Sequence, residues 1–207
     1  MDGLITIIQI LILLFSITLH EVAHGAMAEK LGDKTAKEAG RLTLNPLKHL
    51  DPFGSVILPL MLFLFKTGFM IGWAKPVPVN PYNFRDQKYG QAKVALAGPL
   101  SNLAVALFFG FLLRFAHISQ PWFLQATSVL IYIVYINLLL ALFNLTPLPP
   151  FDGSHILFTF LPQSANAFKE FLLRSSFILL AVYIFFIFPL VAPVVRSVFQ
   201  LITGIGI

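Results

Sequence analysis

His20, Glu21 and His24 stand in the order His-Glu-Val-Ala-His near the end of a long apolar run. Four residues of α-helix turn about 400°, so the two imidazoles share one face, one turn apart, and can hold a single Zn²⁺. Glu21 is rotated about 100° from His20, which lets its carboxylate reach a metal-bound water rather than the metal. That is the place a general base needs. With five histidines in 207 residues, chance supplies roughly 0.002 such matches.

Two histidines do not complete a catalytic zinc site, which uses three protein ligands and keeps one position for water. Asp33, Glu38, Asp51, Asp86 and Glu170 fall in polar loops and read as solvated charges. His49 and His117 are likewise expected to be ordinary loop imidazoles. Asp152 differs, with Pro149-Pro150-Phe151 before it and Gly153 after it. Its carboxylate can cap a helix, ligate a metal, or do both. His155, three residues on, is the competing donor.

The elements that must position these groups are membrane helices. Apolar types make up 57% of the chain and charged types 11%, against about 25% charged in a soluble domain. Twenty-two Phe and long aliphatic runs exclude disorder. The absence of Cys excludes disulfides, thiolate zinc sites and a cysteine nucleophile. The formal charge of +5 comes from basic residues between apolar runs, not from a dense basic block with aromatics, so no nucleic-acid partner is expected.

The apolar runs are Leu4–Leu19 (extended to about Lys30), Val56–Ile71, Val94–Leu113, Thr127–Phe143 and Phe177–Val195. The first gives a helix of roughly 37 Å, enough to cross a hydrocarbon core. Nothing basic precedes Leu4, so a cleaved leader fits it poorly. Val56–Ile71 is short and carries Pro59 and Gly68, which suits a re-entrant or interfacial segment. Pro189 and Pro193 leave the last run as one kinked span or two half-spans. Arg41–Pro46 and Lys75–Pro81 each read as short extended pieces stopped by Asn-Pro, with Pro76 and Pro78 confining the second to a sheet edge. The expected fold is an all-α polytopic membrane protein of about four to six membrane segments around an intramembrane zinc site, with small strand or re-entrant elements after the first helix. A single membrane-embedded domain is expected over residues 1–207, its core at about 4–161 and its C-terminal segments at about 175–203.

Basic residues set the orientation. Lys30, Lys34, Lys37, Arg41 and Lys48 follow the first helix, and Lys75, Arg85, Lys88 and Lys93 precede the run at Val94. The positive-inside rule places both loops in the cytoplasm and the turn carrying Arg114 outside. His20 and His24 then lie roughly 9 to 15 Å from the charged end of their helix, toward the cytoplasmic side of a plasma membrane.

Three separated motifs now stand in order: His-Glu-x-x-His in a span, Ala97-Gly98-Pro99-Leu-Ser-Asn102, and Asn144…Pro147…Pro149-Pro150…Asp152-Gly153. Together with Gly40–Pro46 and Gly72–Pro76, they resemble the site-2 protease family of intramembrane zinc metalloproteases over most of Leu4 to Leu161. The resemblance implies that His20, His24 and Asp152 bind one Zn²⁺ and that Glu21 activates water. It also implies that Asn144 helps hold the tetrahedral intermediate and that Asn102 supports polar contacts near the site; helix packing is the other use of both amides. Unlike in better-known members, the zinc-binding helix is expected to be the first span, and no appended PDZ or nucleotide-binding regulatory domain is expected.

The function expected is a zinc endopeptidase acting on peptide bonds in or near transmembrane segments of membrane-protein substrates, within the lipid bilayer. Buried His and Asp also mark ion paths, so a metal-binding transporter is the alternative, but it gives Glu21 no specific task. A non-catalytic scaffold would not need the intact His20, Glu21, His24 and Asp152 set.

Overall fold

The computed structural model describes residues 2–65, 72–115 and 121–206. Helix α1 (Asp2–Lys30) is followed by a short α2 (Thr35–Glu38), α3 (Leu58–Leu64), α4 (Gly90–Phe115) and α5 (Pro121–Asn144). Next come α6 (Asp152–Phe160), α7 (Asn166–Arg174), α8 (Ser176–Val182) and α9 (Phe188–Thr203). Four helical stretches are long and apolar enough to cross a membrane: Gly3–Lys30, Gly90–Phe115, Ala126–Asn144 and Ser176–Thr203. This is an all-α polytopic membrane protein.

Helix α4 is the hub, packing against α1, α5, α6 and α9. Ala106 and Leu113 of α4, Val134 and Leu138 of α5, and Val195 and Phe199 of α9 form one buried cluster. Gly110 lets α4 and α9 approach closely, since a Cβ there would strike the Ile202 side chain; small residues serve this purpose between membrane helices. The outward residues Leu4, Ile7, Phe108, Phe185 and Leu190 are all more than half exposed, as a lipid-facing surface requires.

The last span is continuous. A π-helical segment, Tyr183–Ile187, joins α8 to α9, so the prolines do not break the span. By contrast, residues 52–64 make six residues of π-helix and seven of α-helix, far short of the ~20 a crossing needs. Residues 66–71, with Gly68, lie outside the described residues. The short extended pieces expected at Arg41–Pro46 and Lys75–Pro81 do not pair as strands; an isolated antiparallel bridge between Leu50 and Ala74 is the only pairing among the described residues.

Two loop side chains are not solvated. Asp33 is fully buried and accepts from Thr35 N and Oγ1, Asn83 Nδ2 and Asn80 N, so it ties the end of α1 to residues 80–83. His49 is also buried, its Nε2–H donating to the Thr43 carbonyl at 2.9 Å. The sequence showed the polar neighbourhood of both, not the distant segment that closes over them. His117 lies outside the described residues.

Burial works against the Asp33 carboxylate, but hydrogen bonds from Thr35, Asn83 and Asn80 outweigh it and hold its pKa below the ordinary value. A lowered folded pKa stabilises above the unfolded value and loses that contribution as pH falls through the folded one. Asp33→Ala is therefore expected to cost about 1–3 kcal/mol near neutrality. Thermal melts of purified protein in detergent should show the gap from wild type narrowing only in strong acid.

Candidate metal centre

Three elements deliver their side chains to one end of the bundle: the C-terminal turns of α1, the N-terminal half of α4, and the start of α6 beyond the C-terminus of α5. His20 and His24 keep their helical spacing, with Nε2 atoms 3.0 Å apart. Asp152 Oδ2 lies 3.1 Å from His20 Nε2 and 3.3 Å from His24 Nε2. These three residues are the group of donors, among the described residues, that converges tightly enough for a metal ion. Both histidines are buried.

The other ring nitrogens fix the tautomers. His24 Nδ1 meets the Val94 carbonyl at 2.7 Å, an acceptor only, so Nδ1 carries the proton. His20 Nδ1 meets Asn102 Oδ1 at 2.7 Å. The amide of Asn102 cannot be flipped, because its Nδ2 donates to the Ser16 carbonyl at 3.1 Å and to Asn137 Oδ1 at 2.8 Å. His20 therefore also donates through Nδ1. In the neutral rings both Nε2 atoms then present lone pairs to each other and to a carboxylate oxygen. That arrangement repels itself unless a proton or a cation sits among the three atoms. Donors at about 2.0–2.1 Å from zinc in a tetrahedron stand about 3.3 Å apart, so this triangle fits Zn²⁺.

Helix α4 is cut to receive the imidazoles. A Cβ at Gly98 would collide with the rings of His20 and His24. The next residue, Pro99, is buried and lacks the N–H that would otherwise bond Ala95. Behind the rings, Asn137 Nδ2 donates to Ser16 Oγ and to the Ile133 carbonyl. Ser16, Asn102 and Asn137 thus form a buried hydrogen-bonded chain across α1, α4 and α5. Asn137 and Ser16 are not among the residues singled out from the sequence; the amide of Asn137 within an otherwise apolar run is the available signal.

Asp152 is held from behind by a tight loop. Phe151 is buried and packs edge-on against Phe143 and at a tilt against Tyr183, and Thr146 Oγ1 hydrogen-bonds the Tyr183 hydroxyl at 3.0 Å. Gly153 leaves room for the carbonyls of Leu145 and Thr146, which a Cβ would strike. His155 is not part of the triad; its Nδ1 accepts from Gln91 Nε2 at 3.0 Å. Asn144 sits at the end of α5 and donates to the Leu140 carbonyl. Glu21 Oε2 accepts the Val77 N–H at 2.8 Å.

Comparison with known proteins matches the profile of Peptidase family M50 to residues 114–186. "Putative zinc metalloprotease YwhC" of Bacillus subtilis is 42% identical over 163 residues, covering 76% of this chain and 71% of its own length. "Putative zinc metalloprotease Rip2" of Mycolicibacterium smegmatis is 32% identical over 141 residues, 68% of this chain. The chain spans about half of that relative, 52%. "Putative zinc metalloprotease MJ0611" of Methanocaldococcus jannaschii is 38% identical over 96 residues, 46% of this chain and 48% of its own length. No solved structure gives a significant match.

Removing the amide that orients His20 is expected to weaken Zn²⁺ binding about 10- to 100-fold in Asn102→Ala. Chelator competition on purified protein checks this. Gly98→Ala should lower zinc occupancy as well, because the new methyl occupies the space of the rings.

Proposed function

The chain belongs to Peptidase family M50, the site-2 proteases, and from that premise we propose that it is a zinc endopeptidase cutting peptide bonds in or beside transmembrane segments of membrane-protein substrates. The observation that carries the reading is the convergence of two imidazole lone pairs and one carboxylate oxygen within 3.0 to 3.3 Å, with Glu21 on the same helix. His20, His24 and Asp152 would hold a Zn²⁺, which would supply Lewis acidity toward a water and a scissile carbonyl.

The remaining chemistry falls to the chain. Glu21 takes the proton of the attacking water and returns it to the leaving amine. Asn102 and the Val94 carbonyl hold the imidazoles in the tautomer that turns both Nε2 atoms inward. Asn144 uses one amide hydrogen on the Leu140 carbonyl; the second is the donor we assign to the developing oxyanion.

The loops rich in Lys and Arg lie at the same end of the bundle as the histidines, so the positive-inside rule supports a cytoplasmic-side site; a plasma membrane is the location proposed with it, from the compact architecture. The bilayer partner is supported by the four apolar helices. A single membrane-embedded catalytic domain is supported by α4 contacting the elements that carry all three donors. An unwound substrate could add as a strand to residues 75–79 or 42–44; the first has little support, because Pro76 and Pro78 have no N–H and the Val77 N–H is already bonded to Glu21.

Glu21→Gln should retain one zinc per chain and lose cleavage of a membrane-anchored reporter by 100-fold or more, about the contribution of general acid–base catalysis. Zinc stoichiometry and reporter cleavage are measured on the same preparation. A transporter would give no cleavage with the wild-type protein either.

A further inference from the structure

Residues 75–80 cross the end of α1 as an extended segment without a sheet partner and lead into a 3-10 turn at Pro81–Asn83, yet they are pinned along their length. At the near end, Arg41 Nη2 donates to the carbonyls of Lys75 at 2.8 Å and Pro76 at 3.4 Å, and the Lys75 N–H donates to the His49 carbonyl at 2.9 Å. At the far end, buried Asp33 takes the N–H of Asn80 at 2.7 Å and the amide of Asn83 at 2.9 Å. Between these anchors, the Val77 N–H reaches Glu21 Oε2.

The Pro-Val-Pro sequence explains why only one donor is offered there. Pro76 and Pro78 have fixed φ and no N–H, so Val77 supplies the one backbone donor of that tripeptide. Val77 is 7% exposed and rests on Gly25, where a Cβ would come within 2.9 Å of Val77 Cγ1. The residue after His24 is thus small because Leu42, Val77 of the strap and Ala36 all close on it. Arg41 is itself buried, so the anchor is enclosed with the segment it holds.

We infer that residues 75–80 form a strap whose Val77 amide fixes the rotamer of Glu21, with Arg41 acting as a positioning residue through the strap. The inference rests on Glu21 being the general base. A hydrogen bond from N–H to a carboxylate is charge-assisted and directional. It engages Oε2, and no hydrogen bond to Oε1 occurs among the described residues, so that oxygen is left to handle a proton. A base held this way loses less orientational freedom at the moment of transfer. The strap therefore acts on the rate of the chemical step and leaves both zinc binding and substrate affinity alone.

The sharpest test replaces the Val77 amide by an ester, through incorporation of the α-hydroxy analogue of valine into the full-length, zinc-loaded protein. This removes the N–H and keeps the side chain. The expected result is a kcat about 10- to 100-fold lower, with KM and zinc content unchanged; an unchanged or higher kcat overturns the inference. Arg41→Ala should lower kcat in the same sense, and Arg41→Lys should recover part of the loss; a change confined to KM or zinc content overturns Arg41's role. The contact has its own readout in the exchange of the Val77 amide, followed by NMR on valine-labelled protein. Protection in wild type that disappears in Glu21→Ala supports the strap, and free exchange in wild type overturns it. Zinc-loaded wild type that is protected at Val77 yet cleaves nothing defeats the protease reading instead.

Discussion

Two ring protons govern the site. By donating Nδ1–H to an amide oxygen and to a main-chain carbonyl, His20 and His24 are obliged to turn their Nε2 lone pairs toward each other and toward Asp152. Three electron-rich atoms in one buried corner are tolerable only around positive charge. The surrounding polar atoms extend this constraint outward: Asn102 is locked by Ser16 and Asn137, and each of these belongs to a different helix. Moving one of the three spans therefore disturbs a hydrogen bond that sets a tautomer.

The backbone of α4 makes this possible. A side chain at residue 98 would fill the space the imidazoles occupy, and the Val94 carbonyl, one turn earlier, serves as an acceptor for His24. The helix that packs against most of the molecule is thus also the wall of the site. Packing and chemistry are satisfied by the same few residues, from Val94 to Asn102.

Legibility from sequence followed the range of the interaction. His20, Glu21 and His24 lie on one helix, whose rise and rotation fix their relation, so local spacing was enough. Asp152 is far along the chain and competed with His155 until a family resemblance separated them. Asn102 stands in a motif that carries the resemblance, while its partner Asn137 does not, and nothing local pairs two amides on different helices. Asp33 and His49 looked like solvated loop groups and are buried. Asp33 has a local partner in Thr35, but Asn80 and Asn83 come from a segment whose folding back is a tertiary event. The prolines of the last run were ambiguous because a π-helical turn can absorb the displaced hydrogen bonds and preserve a continuous span.

The aromatic cluster of Phe143, Phe151 and Tyr183 carries a mechanical consequence. Phe151 immediately precedes Asp152, and Tyr183 belongs to the last span, which supplies no donor to the triad. That span nevertheless forms the backstop for the loop bearing the carboxylate. A tilt of it within the bilayer would press first on Phe151, the residue next to the carboxylate, through these ring contacts.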